Sequence, residues 1–164
     1  MRTTTISFRR DELIADVERM ADLLSHDLAK ESHVRHMLAD ICQDGNIDRV
    51  CRSMSLAYQL CQGFLHRFTR TDIGDNETFC NAFCWPEAYR MVLNVPDNFS
   101  EGAVTLVGHL VHEYICTYVL WDYLTLLRSE LAAEWNSKLS SLEEQIKNAA
   151  QLPGGRYRRP LQPF

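Results

Sequence analysis

The stretch AVTLVGHLVHEYICTYVLWDYLTLL, residues 103–127, decides how this chain folds. Val104, Val107, Leu110, Val111, Tyr114, Ile115, Tyr118, Trp121, Leu124 and Leu127 make a helix that is apolar nearly all round. Such a helix belongs either in a membrane or at the centre of a globular core. Its length suits a bilayer, but His109, His112, Glu113 and Asp122 lie within it, and ionisable groups are costly in lipid. The pattern therefore predicts a central core helix with no membrane partner. Ser100 and Glu101 open it.

Downstream, Leu131, Trp135, Leu139, Leu142, Ile146 and Ala149 continue a helical stripe, with Glu134, Lys138, Glu143, Glu144 and Lys147 on other faces. This reads as one long bent helix or as two helices meeting near Arg128-Ser129. Upstream, Tyr89, Met91, Leu93 and Val95 alternate with Arg90, Val92 and Asn94, and Pro96 ends the run, which predicts a strand. Two segments stand as its hairpin partner, residues 78–84 and the β-branched TTTIS near the N-terminus. So small a sheet needs helices to pack on.

The N-terminal half supplies those helices. Ile14, Val17, Ala21, Leu24 and Leu28 form one stripe of a helix from about Arg10 to Lys30. A second helix is expected from a Ser32 cap to Gln43, ahead of Asp44-Gly45. Asn46 would cap a third, with Val50, Met54, Ala57, Cys61, Phe64 and Phe68 on its bulky face. A polar loop, TRTDIGDNE, follows at 69–77. The expected fold is mainly α: four to five helices in a bundle, a small strand or hairpin element, and an extended C-terminal tail. Residues 1–152 form the helical domain, and residues 153–164 the tail.

Composition agrees. Of the 164 residues, 46% are apolar and 24% charged, which suits one globular domain. Seven glycines and five prolines leave few turn formers for an all-β fold. The formal net charge is −5, and setting aside the three arginines of residues 152–164 leaves −8 for residues 1–151. An acidic body argues against specific nucleic-acid binding. The opening MRTTTISFRR lacks the apolar stretch of a signal peptide. All six cysteines (42, 51, 61, 80, 84, 116) are accordingly expected as reduced thiols in a cytoplasm-like compartment.

No complete active site emerges. His109 and His112 in HLVHEY share a helical face, but HxxHE is neither HExxH nor HxxEH. A di-iron bundle needs Glu-x-x-His pairs, and no acid stands three residues before any histidine. These histidines are read as satisfied core or interface groups, with a His-based metalloprotein as the weaker alternative. Cys80 and Cys84 in CNAFC lack the Cys-x-x-Cys spacing and the second pair of a zinc site. Gly-rich phosphate loops and G-x-S-x-G elbows are missing, so no cofactor is expected. Arg49, Arg52, Arg67 and Arg70 give the third helix a partly basic face, read as solvated or partner-facing.

The tail carries the strongest signal of binding. After Pro153-Gly154-Gly155, Tyr157, Leu161 and Phe164 interleave with Arg156, Arg158 and Arg159, and Pro160 and Pro163 favour extension. Apolar anchors on a polyproline-like strand, with arginines for an acidic surface, suit a docking segment. Its 13 residues from Leu152 would reach roughly 40 Å.

From Tyr89 onward, about half the chain has a recognisable order: YRMVLNVPDNF, HEYICTYVLWDYLTL, a helix with W-x-x-K and L-x-x-x-I, then RYRRPLQPF. In this it resembles small structural proteins of tailed phages and prophages of gut Bacteroidetes, among the head–tail connection and tail-completion genes. The resemblance implies a virion subunit of a neck ring or adaptor, made in the host cytoplasm. Its partners would be further copies in a homo-oligomeric ring and neighbouring virion proteins such as the portal and other neck or tail subunits. It implies no catalytic residues. The alternative is a cytosolic helical binding module or regulator.

Overall fold

The computed structural model describes residues 1–27, 32–69 and 85–151. Strand β1 (Arg2–Arg9) runs directly into helix α1 (Arg10–Asp27), followed by α2 (Ser32–Ala39), α3 (Ile47–Phe64) and the single turn α4 (His66–Thr69). Strand β2 (Ala88–Val95) then leads to α5 (Glu101–Leu127) and α6 (Ser129–Gln151). The protein is mainly α with one two-stranded antiparallel sheet. Its six described helices are the expected five, with Arg128 separating α6 from α5, plus the single turn α4, which Leu65 separates from α3.

α5 is the centre. It packs against α6, α3 and α1, and the sheet crosses it where Ile6 approaches Gly108. A Cβ on Gly108 would sit 3.4 Å from the Ile6 side chain, in van der Waals contact with it. Leu120, Leu124, Val111 and Ile115 are fully buried, whereas Tyr118 and Trp121 are half-buried at the flank with ring centroids 5.3 Å apart. α5 is also the one described helix long and apolar enough to cross a membrane. Here most of its apolar side chains are taken up by the surrounding helices and sheet, while Leu106 and Leu126 stay exposed.

The β2 alternation holds residue by residue: Tyr89, Met91, Leu93 and Val95 are buried, and Arg90 and Val92 exposed. Its partner is the N-terminal strand, with Arg2 opposite Val95 and Arg9 opposite Ala88. Residues 78–84 lie outside the described residues. Between the two candidate forms of the C-terminal half, two helices are found. Arg128 takes extended backbone (φ −153°, ψ 108°) and donates its amide to the Leu124 carbonyl at 2.7 Å, closing α5 before α6 begins.

Several local expectations need correction. The buried line of α1 is Leu13, Val17, Ala21 and Ser25, with Ile14 and Leu24 half-buried beside it. α1 touches α2 on one side and α5 on another, which draws Leu13 inward. Helix α2 ends at Ala39 rather than Gln43, and turns follow. Asn46 does not cap α3 with its side chain; its amide instead donates to the Asp40 carbonyl at 3.0 Å, holding the turn before the helix.

Candidate functional site

The histidines of α5 are separated by one turn and meet different surroundings. His109 is exposed. His112 is half-buried, and its Nε2 lies 2.8 Å from Oδ2 of Asp16 on α1. The other carboxylate oxygen of Asp16 accepts from Arg19 at 2.6 Å. One acid thus ties α5 to α1 and binds its own helix one turn on. The expectation of satisfied core or interface histidines holds for His112, and His109 takes no core position. Beside them runs a groove of about 610 Å³ between β1 and α5, lined by Thr5, Ser7, Thr105 and Gly108 among others. A histidine with a carboxylate partner has a fixed ring orientation. Among the described residues, however, no group of three or more His, Cys, Asp or Glu side chains is placed to hold a metal ion.

The four described cysteines are held as neutral thiols. Cys51, Cys61 and Cys116 are buried and Cys42 half-buried, and all four are free. Burial raises each above the ordinary thiol range, to about 12 for Cys42 and Cys116. Glu18 adds to the effect at Cys42, and Asp16 and Glu113 at Cys116. The thiols of Cys42 and Cys116 face the carbonyls of Ile14 and Leu13 at 3.9 Å, packing against successive residues of α1. A thiol kept protonated is a poor nucleophile. Cys80 and Cys84 lie outside the described residues.

The basic face expected on the third helix is broken up. Arg49 turns to Asp122 on α5, with Nε and a terminal nitrogen 3.2 and 3.1 Å from the same carboxylate oxygen. Ser53 donates to that oxygen at 2.8 Å, and Arg49 also reaches the Asp122 carbonyl at 3.3 Å. This joins α3 to α5 rather than presenting charge to a partner. Arg52 and Arg67 are exposed, and Arg70 lies outside the described residues. No spacing in the sequence couples Arg49 to Asp122 or Asp16 to His112, because each pair closes only when distant helices pack.

A second cavity, about 840 Å³, opens where α6 ends; Phe64, Phe68, Pro96, Lys147 and Gln151 contribute to its wall. Ala149 and Ala150 are buried, so the folded body extends to the last turn of α6. The proposed docking residues Arg156, Tyr157, Arg158, Arg159, Pro160, Leu161, Pro163 and Phe164 all lie outside the described residues. Compared with known families, curated proteins and solved structures, the chain matches none.

Proposed function

We propose that this chain is a non-enzymatic structural subunit of a tailed-phage virion, in a head–tail connector ring or a tail-completion assembly, and that residues 153–164 dock it onto a neighbouring subunit. The observation that carries the reading is the composition of the segment that follows α6. The helix keeps its buried residues to Ala150, and the Pro153-Gly154-Gly155 that follows is a helix-stop sequence. Beyond it, the sequence carries three arginines and three apolar anchors punctuated by two prolines. The order of strand, core helix, outer helix and basic tail is the same order on which the resemblance to phage connector proteins rests.

The body suits such a role. Its long helices are joined by specific polar ties, its described thiols are held protonated, and His112 is engaged by Asp16. In a ring, each subunit repeats one heterologous contact that closes by rotation. The portal and other neck or tail subunits are the neighbours on this reading, and the virion is the location.

Deleting residues 153–164 tests it. Helical content and Tm should stay nearly unchanged, while incorporation into particles, or binding to the neighbouring subunit, is abolished. Reversing the charge of Arg158 and Arg159 should weaken the same step, more strongly at low salt, where attraction is less screened. Normal assembly of the truncated chain, or its unfolding, would overturn the proposal. Negative-stain images of the full chain should contain rings; a monomer bound to a cellular protein would favour the binding-module alternative.

A further inference from the structure

The two edges of the sheet are finished differently. The Arg10 amide donates to the Glu87 carbonyl at 2.9 Å, extending the register that sets Arg9 opposite Ala88. In an antiparallel ladder, opposed pairs alternate between exchanging both bonds and exchanging none. The even-numbered residues of β1 therefore bond to β2, and the backbone groups of Thr3, Thr5, Ser7 and Arg9 point away from it. On β2 the outward backbone includes Arg90, whose carbonyl accepts from the Tyr58 hydroxyl of α3 at 2.6 Å, and α4 packs alongside. Among the described residues, nothing comparable finishes β1, and no hydrogen bond reaches the outward backbone of Thr3, Thr5 or Ser7.

An open groove follows this edge instead. The space between β1 and α5 at Thr5–Phe8 continues past Val104 and Thr105 toward Arg2 and Thr4. A long free edge is a template for another strand, and proteins guard such edges with prolines, bulges or inward charges. TTTISF, residues 3–8, contains no proline or charge and pairs with β2 without a bulge.

We infer that β1 pairs antiparallel with β1 of a second copy of this chain, across a two-fold axis at Thr5, to make a continuous four-stranded sheet. That register sets Thr3 against Ser7 and Thr4 against Ile6 of the second copy. The Thr3, Thr5 and Ser7 side chains are exposed, and opposed hydroxyl residues are favourable cross-strand neighbours. No arginine meets an arginine: Arg2 faces Phe8 of the second copy and Arg9 faces its Met1. Arg9 is moreover matched by Asp11 at 2.5 Å and Glu12 at 3.7 Å. The competing occupant from this chain, residues 153–164, fits this edge poorly. Its Arg156, Arg158 and Arg159 would run beside Arg2, Arg9 and Arg10, and Pro160 would interrupt the row of donors. The contact is isologous, self-limiting and independent of the ring reading.

Light scattering on the full chain at roughly 100 μM should register a dimer, or rings joined in pairs where rings form, since a contact of about micromolar Kd is mostly assembled at that concentration. Thr5→Lys sets two ammonium groups opposite one another and should weaken the dimer at least about tenfold, and Thr5→Glu should do likewise. Thr5 is exposed, so the circular dichroism of both variants, and their Tm at dilutions where the parent is monomeric, should match the parent. Mixing the two variants should restore a dimer, since Lys meets Glu only where residue 5 faces residue 5. Removing residues 153–164 should leave the dimer intact. A monomer at roughly 100 μM, a dimer indifferent to Thr5→Lys, weakening without rescue on mixing, or loss of the dimer with the tail would each overturn the inference.

Discussion

α5 and α6 are adjacent helices of similar length, joined end to end at Arg128, and they play opposite parts. α5 buries residues on nearly every side, among them Tyr114, Ile115, Cys116 and Thr117 in succession. α6 buries one stripe, Ala132, Leu139, Leu142, Ile146, Ala149 and Ala150, and gives the rest to solvent. A helix apolar all round must be enclosed by others, and a helix with one apolar stripe can only be an outer wall. The comparison teaches that the distribution of apolar residues, more than their number, sets the layer a helix occupies. It also places Thr117, buried with no hydrogen-bond partner for its hydroxyl, at the point of α5 where enclosure is most complete.

The largest expected effect is at the enclosed helix. Leu120→Ala should cost about 3–5 kcal/mol, because neighbours on several sides cannot all collapse into the cavity. Leu142→Ala on α6, buried but against the outer layer, should cost about 2–3 kcal/mol. Urea midpoints in the reverse order would break the inner-versus-outer assignment.

The polar ties come next. Asp122→Ala removes the acceptor shared by Arg49 and Ser53, leaving the buried Ser53 hydroxyl without its partner. A loss of about 1–3 kcal/mol is expected from chemical denaturation. Alkaline pH probes the same core through its thiols. Burial holds them protonated in the folded protein, so their contribution is complete below the ordinary thiol range near 9 and is lost as pH rises toward about 12. The Tm should fall progressively above about pH 9, and replacing Cys116 with Ala should flatten part of that slope.

The smallest effect is expected on the outer wall. Lys138 pairs with Glu113 across the α5–α6 contact at 2.7 Å and lies over the Trp135 ring, but both partners of the pair are about two-fifths exposed. A double-mutant cycle on Lys138 and Glu113 should return no more than about 1 kcal/mol. A coupling well above that would mean the α5–α6 seam is held by charge as much as by its apolar stripe.

Legibility followed the range of the interactions. The β2 alternation and the α5 pattern were readable because strand and helix periods are local. The α1 stripe was legible only to within a residue, since two different neighbours compete for its faces. His109 and His112 looked equivalent in HLVHEY, yet only one lies within reach of Asp16. Arg49 looked like part of a surface patch, because the acid that claims it is 73 residues away.

By itself the sequence determined the mainly helical class, the central position of residues 103–127, the outward face of α6 and the strand at 89–95. Each follows from periodicity and from the cost of exposing apolar surface. Only the tertiary structure decided that the N-terminal strand is the partner of β2, that Tyr58 covers one edge of the sheet, and that Thr3, Thr5 and Ser7 lie at the other, open among the described residues. Strand pairing joins segments about ninety residues apart, and the alternation within a strand says which side chains turn inward but not which backbone lies beside it.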